Sequence, residues 1–184
     1  MILFVNACVR EQSRTLILAK RLLNKLDGDI REVQLEKKDF PVVDEEFIDR
    51  REALLRSGKY DDPMFELGRD FANADTVVIA APYYDLSFPA MLKQYFEQIN
   101  VVGLTFAYTE EGIPTGLCKA KELYYVTTAG GPVISDAFGF GYVKALAETF
   151  YGIRHVYQIK AEGLDIVGAD VDKILESTSV EHGL

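Results

Sequence analysis

Between residues 6 and 15 the chain gathers the guanidinium groups of Arg10 and Arg14, the hydroxyls of Ser13 and Thr15, the carboxamide of Gln12 and the thiol of Cys8. The stretch opens directly into a helical pattern. Hydroxyls, guanidiniums and helix-start amides therefore converge, a combination that suits an anion. No Gly-x-Gly-x-x-Gly turn is present through which bare backbone could approach a pyrophosphate, and a single terminal phosphate is the better match. A plainer reading stands beside this one: Ser13 is a good N-cap, and such caps are common.

A second stretch, Pro82, Tyr83, Tyr84, Asp85 and Leu86, sets a proline and two aromatics where a polar loop is the default. Flat side chains there favour a flat ligand. Equally, Tyr83, Tyr84 and Phe88 read as core beneath a turn. A third stretch joins the hydroxyls of Thr127 and Thr128 to Ala129, Gly130 and Gly131. Its glycines would let backbone approach a ligand closely, although a plain β-turn has the same composition. Each stretch alone is ambiguous, but all follow strand-like runs, and together they argue for one site.

The elements that must position these loops are legible. Residues 2–5 form a short apolar run, the mark of a strand buried on both faces. Leu16, Ala19, Leu23 and Leu26 then recur at helical spacing with Lys20, Arg21 and Lys25 between them, and Asp27-Gly28 is a stop. Residues 30–35 alternate as a second strand. Residues 36–73 are charged and mostly helical in pattern, broken by Pro41 and Pro63, and predict a lobe outside the sheet. Strands over 76–81, 123–127 and 155–159 follow, with helices around 88–99, 143–150 and 170–176. This alternation predicts an α/β fold, a doubly wound five-stranded parallel sheet with right-handed crossovers. Ligands of such sheets bind outside the carboxyl ends of the strands, where strand order reverses, and the three loops occupy such ends.

Composition narrows the partners. The chain has 184 residues without a linker-like tract, which predicts a single domain spanning 1–184. A formal charge of −9 disfavours nucleic acid and anionic membranes. No apolar stretch approaches the ~20 residues of a membrane span, and Met1 begins a strand-like run without a basic leader. Cys8 and Cys118 are the only cysteines and lack metal spacing, so reduced thiols, a cytoplasmic setting and no metal are expected. His155 and His182 fall outside the three loops and read as surface or strand-edge residues.

With these residues in view, the chain resembles the flavodoxin-like NAD(P)H:quinone oxidoreductase and FMN-dependent NADH-azoreductase family over nearly its whole length. Cys8, Arg10, Ser13 and Thr15 occupy places similar to the Ser-x-Arg-x-x-Ser-x-Asn/Thr phosphate signature of FMN reductases, with Cys8 replacing the usual serine. Residues 82–86 resemble the azoreductase Pro-Met-Tyr-Asn-Phe loop against the isoalloxazine ring, and Leu92-Lys93-Gln94-Tyr95-Phe96 follows in kind. Residues 105–112 are similar to the family's Thr-Phe-Arg-Tyr-Thr-Glu-Asn-Gly excursion, which makes Tyr108 a substrate-pocket candidate. Residues 128–131 resemble the family's flavin-contacting loop, with Ala129 replacing an arginine.

The resemblance implies the strand order 2-1-3-4-5 and FMN held by Cys8, Arg10, Gln12, Ser13, Arg14, Thr15, residues 82–86 and residues 128–131. It implies NADH or NADPH as electron donor, quinones or azo compounds as acceptors in a ping-pong cycle, and a homodimer with FMN at each edge of the interface. A flavodoxin-type electron carrier and an NADPH-dependent FMN reductase are the alternatives. The 36–73 lobe and the 105–112 excursion count against a carrier. A phosphoryl-accepting receiver domain needs an acidic pair where this chain has Asn6-Ala7.

Overall fold

The computed structural model describes residues 1–180. Its main sheet has five strands in the order β2-β1-β3-β6-β7, all parallel. These are β1 (Ile2–Asn6), β2 (Ile30–Gln34), β3 (Thr76–Ala80), β6 (Glu122–Thr128) and β7 (His155–Ala161). The short strands β4 (Phe106–Tyr108) and β5 (Pro114–Gly116) form a separate antiparallel hairpin, so the fourth and fifth strands expected from the sequence are β6 and β7.

The β1 side chains alternate between two apolar layers. Leu3 and Val5 face α3 (Glu66–Asn73), α4 (Ala90–Ile99) and α5 (Phe140–Leu146), whereas Ile2 and Phe4 face α1 (Arg14–Leu23) and α6 (Val171–Ser177). Covering both faces removes the central strands from water, which explains their unbroken apolar runs. The buried stripe of α1 is Thr15, Leu18, Ala19, Leu22 and Leu23, and Leu16 and Leu26 are only partly buried beside it. Complete burial of Leu18 and Leu22 contributes about 1.5–3 kcal/mol each. On α4, Leu92, Tyr95, Phe96 and Ile99 are all buried in the chain's own core, which accounts for the breadth of its apolar stripe.

The 36–73 segment contains α2 (Glu45–Arg56), α3 and two single 3₁₀ turns. Only Phe47 of α2 is buried, so this helix lies on the surface as expected. Beyond α5 the helix widens into a π-turn, Ala147–Tyr151, which ends at Gly152 with φ 73°. A Cβ at Gly116 would meet the Gly152 nitrogen at 2.1 Å, so the hairpin seats on this turn only because position 116 is bare. Among the described residues, no helix is long and apolar enough to cross a membrane. His155 is exposed at the start of the edge strand β7, and His182 lies outside the described residues.

Candidate functional site

The carboxyl ends of β1, β3 and β6 open into a cleft of about 570 Å³. Its walls are the β1–α1 loop, the loop after β3, the loop after β6 and the start of the loop after β7. The cleft lies where strand order reverses between β1 and β3.

Ser13 sits in extended backbone at φ −68° and ψ 126°, the geometry of an N-cap. Its Oγ accepts from the Leu16 amide at 3.4 Å, a long contact that satisfies that donor weakly. The amides of Arg14 and Thr15 donate to no acceptor among the described residues. Two first-turn N–H groups and the positive end of the helix therefore face the cleft. Both readings of Ser13 are thus compatible: the residue caps the helix and lines the cleft.

Two buried hydroxyls, Thr15 Oγ1 and Thr128 Oγ1, meet at 2.7 Å and tie α1 to the end of β6. The Tyr83 amide donates to the Thr128 carbonyl at 3.0 Å. Tyr83 also donates its hydroxyl to the Ser135 carbonyl at 3.3 Å, and Ser87 Oγ donates to the Phe138 carbonyl at 2.6 Å. The loops after β3 and β6 therefore hold each other. Between Tyr84 and Ser87 the chain reverses in two residues, with paired backbone bonds of 3.1 and 2.7 Å. Asp85 and Leu86 both take positive φ, 50° and 66°, as a type I′ turn demands. Neither is glycine, so the turn is held under strain of about 1–2 kcal/mol per residue.

Arg10, Gln12, Ser13, Arg14, Thr15, Pro82, Tyr83, Tyr84, Thr128, Ala129 and Gly130 all line the cleft. Cys8 lies beneath the cleft and not on its wall: it is buried, with Sγ 3.8 Å from the Ala80 carbonyl. Burial pushes its thiol up to about 11, the Ser13 hydroxyl offsetting part of the rise and Glu32 adding to it. Its amide is taken by Asn6 Oδ1 at 2.9 Å, which shapes the loop from below. Asp85, Leu86 and Gly131 sit at the rim, outside the lining. Tyr108 is 54% exposed on the hairpin, its ring 5.4 Å from that of Phe106, and it does not line the cleft of this chain.

Sequence reasoning missed Leu164 and Asp165, which follow the edge strand β7 and reach the cleft through a backbone ladder. The Leu164 amide donates to the Ala129 carbonyl at 3.2 Å, and the Asp165 amide to the Gly130 carbonyl at 2.8 Å. Asp165 then pairs with Arg14 at 2.6 Å. Gly163, with φ 76°, was the available signal for a sharp turn there. A Cβ at Gly130 would meet Asp165 Oδ2 at 2.1 Å, so the bare backbone lets the Asp165 side chain pack against this wall.

This topology and cleft place the chain among doubly wound α/β proteins of the flavodoxin type. A family model described as a flavodoxin-like fold matches residues 1–181, and the chain belongs to that family. It is 35% identical over 173 residues to the FMN-dependent NADH:quinone oxidoreductase of Coprothermobacter proteolyticus, covering 89% of this chain and 85% of that protein. With the FMN-dependent NADH:quinone oxidoreductase 2 of Clostridium acetobutylicum it shares 38% identity over 159 residues, covering 84% of this chain and 78% of the relative. The crystal structure of an azoreductase from Bacillus anthracis superposes with a TM-score of 0.81 at 25% identity, covering 95% of this chain and 92% of that one. An FMN-dependent NADH-azoreductase of the same species, solved in complex with FMN, shares the fold with a TM-score of 0.78 at 23% identity, covering 95% and 92%.

Proposed function

We propose that the protein is an FMN-dependent NAD(P)H oxidoreductase that passes reducing equivalents to quinones or azo compounds. The observation that carries the reading is the cleft itself, in which unpaired helix-start amides and the Ser13 hydroxyl stand across from the wall formed by Tyr83 and Tyr84. The names of the relatives agree with it.

The donor set fits FMN. The free amides of Arg14 and Thr15, the Ser13 hydroxyl and the guanidinium of Arg10 suit a terminal phosphate dianion. Arg14 is partly neutralised by Asp165 and contributes less charge than Arg10. The strained turn at Asp85 and Leu86 presents backbone beside Tyr84, where a flat ring would rest. Gly130 and Ala129 leave the third wall without bulk. When bound, FMN supplies hydride acceptance and donation, which no side chain can perform. The protein holds the phosphate, orients the ring and aims backbone amides at developing negative charge.

We further propose that two copies pair over the cleft rims. Val9, Tyr84, Leu86, Ile134, Phe138, Ile166 and Val167 are exposed on the loops after β1, β3, β6 and β7, and an isologous dimer would cover them. Tyr108 would then serve the partner's pocket. Two buried free thiols suit the reducing cytoplasm.

The test is an absorbance spectrum of the protein reconstituted with FMN, before and after anaerobic NADH and then benzoquinone. Bleaching followed by recovery supports the assignment. Retained flavin that neither NADH nor NADPH bleaches would instead indicate an electron carrier, and no retained flavin would overturn the reading.

A further inference from the structure

A second cleft, of about 730 Å³, opens at the opposite end of the sheet, where β6 and β7 begin. Lys121, Glu148, Thr149, Arg154 and His155 stand in its walls, and Gly116 and Gly152 bring the hairpin against the π-turn beside it. Lys121 and Arg154 each precede one member of the register pair Glu122 and His155, so the strand pairing makes the two residues neighbours at the mouth of the cleft. The His155 amide donates to the Lys121 carbonyl at 3.3 Å and fixes that spacing.

Neither Lys121 nor Arg154 has an ion-pair partner among the described residues, in a chain with 29 acidic and 20 basic side chains. Arg14, Arg31, Arg50 and Arg56 all pair with carboxylates. The carboxylate in the wall, Glu148, faces Lys144 at 3.8 Å. Cys118 adds no negative charge, because burial pushes its thiol up to about 12. A local positive potential inside a strongly negative protein focuses anions on this cleft. A guanidinium fork and an ammonium, with the Thr115 and Thr149 hydroxyls nearby, match the oxygens of a phosphate dianion, while the His155 ring turns to the other face of the sheet and stacks on Tyr157. The volume lies within the range of small-molecule sites and leaves room for the body of a ligand.

We propose that this cleft binds the phosphate group of a soluble phosphomonoester, at a site separate from the flavin cleft. Inorganic phosphate serves as the probe, titrated at constant ionic strength into the 15N-labelled, FMN-loaded protein while amide shifts are followed. The expected result is saturable shifts at Lys121, Gly152, Arg154 and His155. The affinity should fall at least about tenfold in Lys121→Gln and in Arg154→Gln, each with an unchanged flavin spectrum. Arg10→Ala should leave these shifts intact, which separates this site from the flavin cleft. Shifts that never saturate, that appear only around residues 10–15, or that persist unchanged in the Lys121→Gln/Arg154→Gln double variant would overturn the proposal.

Discussion

Thr15 and Thr128, 113 residues apart, share a buried hydrogen bond of 2.7 Å between their hydroxyls. The bond joins the first helix turn to the end of β6 directly under the cleft, so it couples the geometry of the anion-facing amides to that of the glycine loop. Replacing Thr128 with Val should cost about 1–3 kcal/mol, because the Thr15 hydroxyl is left buried without a partner. The Thr15→Val/Thr128→Val double variant should recover part of that loss. Urea denaturation of the four members of the cycle measures the coupling, and strict additivity would show that the bond contributes nothing.

Arg10 is exposed with no ion-pair partner among the described residues, whereas Ser13 is nearly buried at the helix start. The Arg10→Ala/Ser13→Ala variant should bind FMN at least tenfold more weakly, since each charge-assisted hydrogen bond contributes roughly 1.5–3 kcal/mol. Its stability should fall only by the lost cap, about 1 kcal/mol. Flavin fluorescence quenching reads the affinity; an unchanged value removes the phosphate from this loop.

The positive φ angles of Asp85 and Leu86 predict an opposite pair of effects. Leu86→Gly should stabilise the flavin-free protein by about 1 kcal/mol through relief of the left-handed conformation. It should also weaken flavin binding modestly, because a looser turn is less well organised against the ring. Thermal unfolding and flavin titration test the two halves separately.

The buried thiols set a direction for alkaline stability. Burial pushes the Cys8 thiol up to about 11 and the Cys118 thiol up to about 12 in the folded chain, from 9.0 for an ordinary thiol. Well below pH 9.0 both states are protonated and the contribution is fully present. As pH rises from there toward the folded values, the unfolded chain releases protons that the native chain retains, so stability falls. Cys8→Ala should flatten the decline of the urea midpoint between pH ~8 and ~10. An unaltered slope would mean that Cys8 is not the group responsible.

Tyr108 stands 54% exposed on the hairpin, away from the cleft of its own chain. Tyr108→Ala should lower kcat/KM for quinone severalfold and leave FMN affinity unchanged. Loss of flavin in this variant would assign Tyr108 to cofactor binding.

Much of the fold was legible because its periods are local. The apolar runs at 2–5 and 76–81 and the helical stripe of α4 each declare their partners' geometry within a few residues. The excursion at 105–112 was visible through its similarity to a family loop, but its return strand, Pro114–Gly116, carries no alternation to read. Most of the proposed cleft was anticipated as well, since loops that follow buried strands must converge at one end of a parallel sheet.

By itself the sequence determined the alternation of strands and helices, the anion-suited chemistry of residues 10–15 and the aromatic loop at 82–86, all of which depend on neighbours in the chain. Only the tertiary structure decided that Cys8 turns under the cleft, that Leu164 and Asp165 complete its wall, and that Lys121 and Arg154 stand together unpaired. The physical reason is that these relations depend on strand order and register. Sheet pairing sets them by packing both faces at once, across separations that no local period encodes.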